Sequence, residues 1–292
     1  MNYRHAFHAG NFADVVKHLI LVRILAYLRR KDAAFRVIDT HAGVGLYDLE
    51  GDAAGRTGEW VDGIGRVVSR GLPGPAAALA APYLDAIRAA NPDGGLRFYP
   101  GSPLIARHML RGQDRLFALE LHPEDSGALK TNFAGDIQTR VTRLDGWAAL
   151  GTHLPPRERR GLVLVDPPFE EKNEFSRLVA GLQKAHRRWP GGLYALWYPL
   201  KEPERTRRFL ADLKATGIPK ILRIELTLRA PSTPPRLYGT GMIVVNPPYV
   251  LEEEMGILLP ALAALLADDG RGRWCMDWIT GEAGPQPRRD LA

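Results

Sequence analysis

FRVIDTHAGVGLYDL, residues 35–49, decides the frame. A short apolar, β-branched run ends on Asp39 and passes directly into a loop carrying Gly43 and Gly45. Such a run reads as a strand and the loop as its exit. Glycine lets a backbone turn sharply and approach a ligand closely, and ligands of open α/β sheets sit outside the carboxyl ends of the strands. The G-x-G has no third glycine at the dinucleotide position, which disfavours a dehydrogenase. An acid four residues ahead of G-x-G is usual in S-adenosylmethionine sites. The spacing also fits an ordinary strand-to-helix turn.

Working outward, a helix is expected over 12–30. Six more strands are expected at RLFALE (115–120), RVTRL (140–144), GLVLV (161–165), GLYALWY (192–198), KILRIELTL (220–228) and GMIVVN (241–246). Helical patterns at 124–134, 173–188 and 202–215 lie between them. Segments that long allow crossovers, so the first five strands predict a parallel, doubly wound α/β sheet. Only the Pro-rich RAPSTPPRLYG (229–239) separates the last two, which predicts an antiparallel pair at the end of a seven-stranded sheet. Residues 47–98 lack a strand signal and hold the joints RGLPGP and NPDGG. They read as a helical insertion, leaving 1–46 and 99–280 as the main domain and 281–292 as a disordered tail.

Acids close the successive strands. Glu120 ends RLFALE, Asp145 ends RVTRL ahead of Gly146, and Asp166 ends GLVLV. The first can accept from a ribose diol and the second from an adenine amine, although Asp145 equally suits a helix N-cap over 146–153. At Asp166 the sequence reads DPPF. A carboxylate taking one N–H of an exocyclic amine, beside a backbone carbonyl taking the other, favours a more tetrahedral, nucleophilic nitrogen. Two prolines stiffen the turn and remove N–H donors. Phe169 supplies a stacking face, worth roughly 1–3 kcal/mol per base, for a base splayed out to reach it. NPPY (246–249) fits the same consensus, but it follows an antiparallel strand and should leave the sheet at the wrong edge.

The chain has 292 residues, 45% of them hydrophobic, and no run long enough for a membrane span or a signal peptide. The lone Cys275 excludes an intrachain disulfide framework and fits a reducing cytoplasm. Lys plus Arg number 39 against 33 Asp plus Glu, with clusters at Arg29-Arg30-Lys31 and Arg205/Arg207-Arg208. A basic excess suits phosphate backbones but also describes plainly solvated helices. Lys17 and His18, ahead of the first strand, read as charges favouring a helix dipole, and His18 alternatively as a cover for a cofactor. His5 and His8, without cysteines or HExxH, do not make a zinc site.

Taken together, YRHAFHAGNFADVVKH (3–18), DTHAGVGLYDL, RTGEW, YPGSPLIAR, ELHP, Asp145-Gly146, LVDPPFE, YALWYP and GMIVVNPP resemble the RlmJ family of 23S ribosomal RNA adenine-N6 methyltransferases, over roughly residues 1–280. The resemblance implies a class I, Rossmann-like methyltransferase fold with a small helical insertion, S-adenosylmethionine as donor and one adenine of 23S RNA as acceptor; apart from it, a cytoplasmic monomer is expected. It implies Asp166 as the catalytic acceptor. His18, His41, Ser102, Glu120, Asp145, Gly146 and Asp166 would line the cofactor site. Tyr3, His5, Pro167 and Phe169 would lie at the substrate base. Phe169 departs from the commoner DPPY, so a hydroxyl is lost while stacking survives. The rival readings are a DNA adenine methyltransferase, for which no recognition domain is visible, and a non-catalytic RNA-binding protein, which predicts damage to the glycine loop or DPPF that is absent.

Overall fold

A computed structural model describes residues 4–268 and 270–282. Tyr3 and most of the tail at 281–292 lie outside them. The first long helix, α1 (Phe12–Leu28), buries 14 of its 17 residues. A helix apolar on all sides belongs inside a core, and α1 lies there between the sheet and a second helical layer. Asn11 caps it, its Oδ1 accepting from Ala13 N and Asp14 N at 2.9 and 3.0 Å.

Strand β1 (Arg36–Asp39) follows, then β2 (Leu46–Asp48), the helices α2 (Asp52–Thr57), α3 (Arg66–Arg70) and α4 (Gly74–Ala90), and β3 (Phe98–Pro100). The 47–98 stretch is therefore mostly helical, but an antiparallel β2–β3 pair, with Tyr47 opposite Tyr99, ties its two ends together. Three-residue strands whose partners lie some fifty positions apart leave no periodic trace. Ile64, Val67 and Tyr83 are buried in the same core as α1.

The chain continues through α5 (Ser102–Met109), β4 (Arg115–Leu119), α6 (Pro123–Asn132), β5 (Thr139–Thr142), α7 (Gly146–Thr152), β6 (Gly161–Val165), α8 (Glu174–Arg188), β7 (Leu193–Leu200), α9 (Pro203–Ala215), β8 (Ile221–Thr227), β9 (Gly239–Val245), α10 (Leu251–Leu266) and β10 (Arg273–Thr280). The main sheet has the order β10-β8-β9-β7-β6-β1-β4-β5. β1, β4, β5, β6 and β7 are mutually parallel, and β9 runs against both β7 and β8.

Two expectations need correction. The sheet has eight strands rather than seven, and the antiparallel β9 is inserted between β7 and β8 instead of closing the edge. Burial explains both. Every residue of β9 is buried, so it needs cover on both faces and a partner on each side. β10 is half-exposed and carries Arg273 and Asp277, a composition suited to an edge. Arg23 on α1 makes a two-pronged pair with Glu254 on α10, both bonds 2.8 Å, and donates to Leu79 O on α4, joining the three helices. No helix among the described residues is long and apolar enough to cross a membrane.

Candidate active site

Register brings the strand-end residues to one level. Asp39 pairs with Ala118 on one side and Leu164 on the other. Two residues further along in each case come His41, Glu120 and Asp166, all at the carboxyl edge of the adjacent strands β6, β1 and β4. A cavity of about 1000 Å³ opens there. His5, His18, His41, Ser102, Glu120, Asp145, Gly146, Asp166, Pro167 and Phe169 all line it. Asn246, by contrast, follows Val245, which pairs with Tyr194 at the start of β7, and so leaves at the opposite edge. There its Nδ2 donates to Pro190 O and Gly192 O at 2.8 and 2.7 Å. Its φ of +54° is a left-handed conformation that asparagine tolerates better than most residues.

The glycine loop is held from below. Asp39 is buried and accepts from Ser102 Oγ at 2.6 Å. It does not line the cavity; it fixes the start of α5 against the end of β1. Burial pushes its carboxyl up to about 7, with Asp166 adding to the rise and the Ser102 bond opposing it. A folded-state value above the ordinary one stabilises fully at low pH and is lost as pH rises through 7. Asp39→Asn should therefore gain on the native chain between pH 5 and pH 8, by up to about 3 kcal/mol, because only the two units from pH 5 to pH 7 contribute. Urea denaturation of both proteins at the two pH values measures it; a pH-independent gap would refute it.

Glu120 accepts from Gly43 N at 2.9 Å and from His122 N at 2.8 Å, one on each oxygen, so it ties the loop to the end of β4 and lines the cavity. Burial raises its pKa, against the pull of those two N–H groups. Asp145 does act as the N-cap of α7, accepting from Trp147 N at 2.9 Å through Oδ1; its other oxygen is not used by the cap. A Cβ on Gly146 would lie 2.2 Å from Thr40 O, so only glycine fits this wall. Burial pushes His18 and His41 down to about 3, leaving both neutral. Thr40 Oγ1 gives its proton to Leu164 O, so His41 Nδ1, 2.8 Å away, carries the hydrogen between them.

At DPPF, Phe169 has φ +53° and meets Phe175 and Trp197 edge-on at 5.0 and 5.5 Å. A left-handed aromatic costs of order 1–3 kcal/mol and persists where its surroundings fix it. Lys17 bonds Asp166 Oδ2, and its ammonium also sits 2.7 Å from Asp14 Oδ1. The dipole reading of Lys17 fails. It lies in the second turn of α1, near the positive end, where a cation is disfavoured, and two carboxylates compensate it. Despite burial, Asp14 and Asp166 hold its pKa above the ordinary lysine value, so it stays charged. The available signal was Asp14 and Lys17, three apart on an otherwise apolar helix, since buried charges of that kind are paired. Trp147 and Trp197, also on the cavity wall, gave no such signal.

The cavity fits an adenosyl sulfonium. His18 Nε2 is buried without a partner among the described residues, and Glu120 and Asp145 offer acceptors at neighbouring strand ends. Fold and site define a class I methyltransferase, with S-adenosylmethionine as methyl donor. The chain belongs to the RlmJ family: the family model described as "RsmJ: Ribosomal RNA large subunit methyltransferase D, RlmJ" matches residues 32–280. The chain is 44% identical to the Escherichia coli protein named ribosomal RNA large subunit methyltransferase J and 43% to that of Haemophilus influenzae, covering 97% of this chain and all of each relative. A crystal structure of a Legionella pneumophila protein superposes with a TM-score of 0.85 at 35% identity, over 96% of this chain and 99% of that one.

Proposed function

We propose that the protein methylates N6 of one adenine in 23S ribosomal RNA, working as a cytoplasmic monomer. On this reading residues 1–46 and 99–280 form the catalytic domain and 47–98 a helical subdomain. The observation that carries it is Asp166 at the mouth of DPPF with one oxygen fixed by Lys17. Lys17 holds Oδ2, which leaves Oδ1 to accept one N–H of the target amine. A backbone carbonyl of the Pro-Pro turn accepts the other, and Phe169 stacks on the base. His18, His41, Ser102, Glu120, Asp145 and Gly146 would hold S-adenosylmethionine, which supplies an electrophilic methyl on sulfur. In-line attack then needs positioning more than acid strength. Lys17, held charged, cannot take up the proton that the amine sheds, so that proton leaves through Asp166 or water. His5, 2.9 Å from Asp14, and Tyr3 would border the base.

The test is transfer of labelled methyl to unmodified large-subunit RNA, with the product located by nuclease digestion and mass spectrometry. N6-methyladenine at one site is expected. Asn246→Ala should transfer normally while losing roughly 1–3 kcal/mol of stability from two broken hydrogen bonds. Transfer to DNA alone would replace the RNA reading, and loss of transfer in a folded Asn246→Ala protein would displace DPPF as the pocket.

A further inference from the structure

Residues 4–11, ahead of α1, contribute His5, His8 and Asn11 to the cavity wall, yet they have little core of their own. They are held by residues from the other side of the glycine loop. Gly58, with φ +61°, ends α2 and turns the chain so that Glu59 faces back toward His8. Both Glu59 oxygens lie 3.0–3.1 Å from His8 Nδ1, and Oε2 accepts from Asn11 Nδ2 at 3.0 Å. The backbone is stitched alongside: Ile64 N donates to Gly10 O at 2.8 Å, and Thr57 Oγ1 to Phe7 O at 2.5 Å. A Cβ at Gly63 would lie 2.2 Å from Gly10 O, so the two stretches touch backbone to backbone.

This contact leads into the reacting centre. Asn11, gripped by Glu59, caps α1, and Asp14 in the first turn of that helix accepts from Gly10 N at 2.9 Å and pairs with Lys17. Lys17 reaches Asp166. We propose that Glu59 is a positioning residue for methyl transfer, clasping His8 and Asn11 so that Lys17 sets the Asp166 carboxylate for the target amine. The inference rests on the methyltransferase reading above. Glu59 raises the pKa of His8, chiefly through their hydrogen bond and against the opposing effect of burial. Both side chains are more than a third exposed, and such pairs add little to stability. The consequence of the clasp is geometric, and a displacement of about 1 Å at a reacting centre can cost 10²-fold in rate.

The experiment compares the full chain with Glu59→Ala and Glu59→Gln. For Glu59→Ala, kcat for RNA methylation should fall about 10- to 100-fold. Affinity for S-adenosylhomocysteine by calorimetry should change less than about threefold, and the melting temperature little. Amide hydrogen exchange over residues 7–14 should accelerate. Glu59→Gln keeps an acceptor for Asn11 and should recover part of the lost kcat. A kcat within twofold of wild type, or a loss that merely follows weakened cofactor binding and lowered melting temperature, overturns the proposal. Should the wild type transfer nothing to RNA, the failure belongs to the substrate reading. The exchange arm then decides the clasp by itself: faster exchange upholds it and unchanged exchange removes it.

Discussion

Asp166→Ala is expected to lower methyl transfer about 10²- to 10⁴-fold, the range for removing one positioned proton acceptor or one preorganised charge-stabilising group. Asp166 is the carboxylate of the D-P-P-F turn, at the level of His41 and Glu120 on the carboxyl edge. Removing it leaves the amine with backbone acceptors alone. Folding should survive, because Lys17 keeps its 2.7 Å pair with Asp14 and no buried charge is stranded. Asp166→Asn is a sharper variant. It preserves shape but presents an amide N–H where an acceptor is needed, and Lys17 would compete for the single remaining oxygen. Single-turnover transfer beside S-adenosylhomocysteine binding separates chemistry from cofactor affinity. Transfer within tenfold of wild type in either variant would mean that the turn's carbonyls suffice.

Lys17→Met should strike both stability and rate. Asp14 has a side chain only 2% exposed, and Lys17 one 4% exposed. Removing the ammonium leaves a buried carboxylate supported, among the described residues, by His5 and Gly10 N, and breaking such a pair costs about 3–5 kcal/mol. In the native chain His5 and Lys17 hold Asp14 well below the usual carboxylate range although burial opposes them. A depressed value contributes stability above the unfolded pKa that is lost as pH falls through the folded one. The methionine variant should therefore lose the most stability near neutral pH and converge on the native chain in acid. Adding Asp14→Asn removes the stranded charge, so the double variant should recover most of the stability while transfer stays about 10²-fold down, because Asp166 still lacks its anchor. Denaturation curves at pH 7 and at about pH 2, with transfer measured below the melting transition, give the answer. Recovery of transfer together with stability would show that Lys17 serves folding alone.

Asp39, Glu120, Asp145 and Asp166 could be placed at strand ends from the chain itself, because a strand is a local, periodic signal and the residue that ends it can be named. The parallel arrangement followed from connection lengths, and DPPF carried its chemistry in four adjacent residues. Even the choice between DPPF and NPPY was open to argument, since strand direction alone assigns them to opposite edges. What lay beyond reach was set by pairing across distance. β9 is central because both its faces are buried, β10 forms an edge because its residues are half-exposed, and β2 meets β3 from either end of a long excursion. Lys17 reaches an aspartate 149 positions away, and Glu59 reaches back 48 to Asn11. Such contacts leave no periodicity to read: desolvating a charge demands a partner, but only the packed chain decides which one stands within reach.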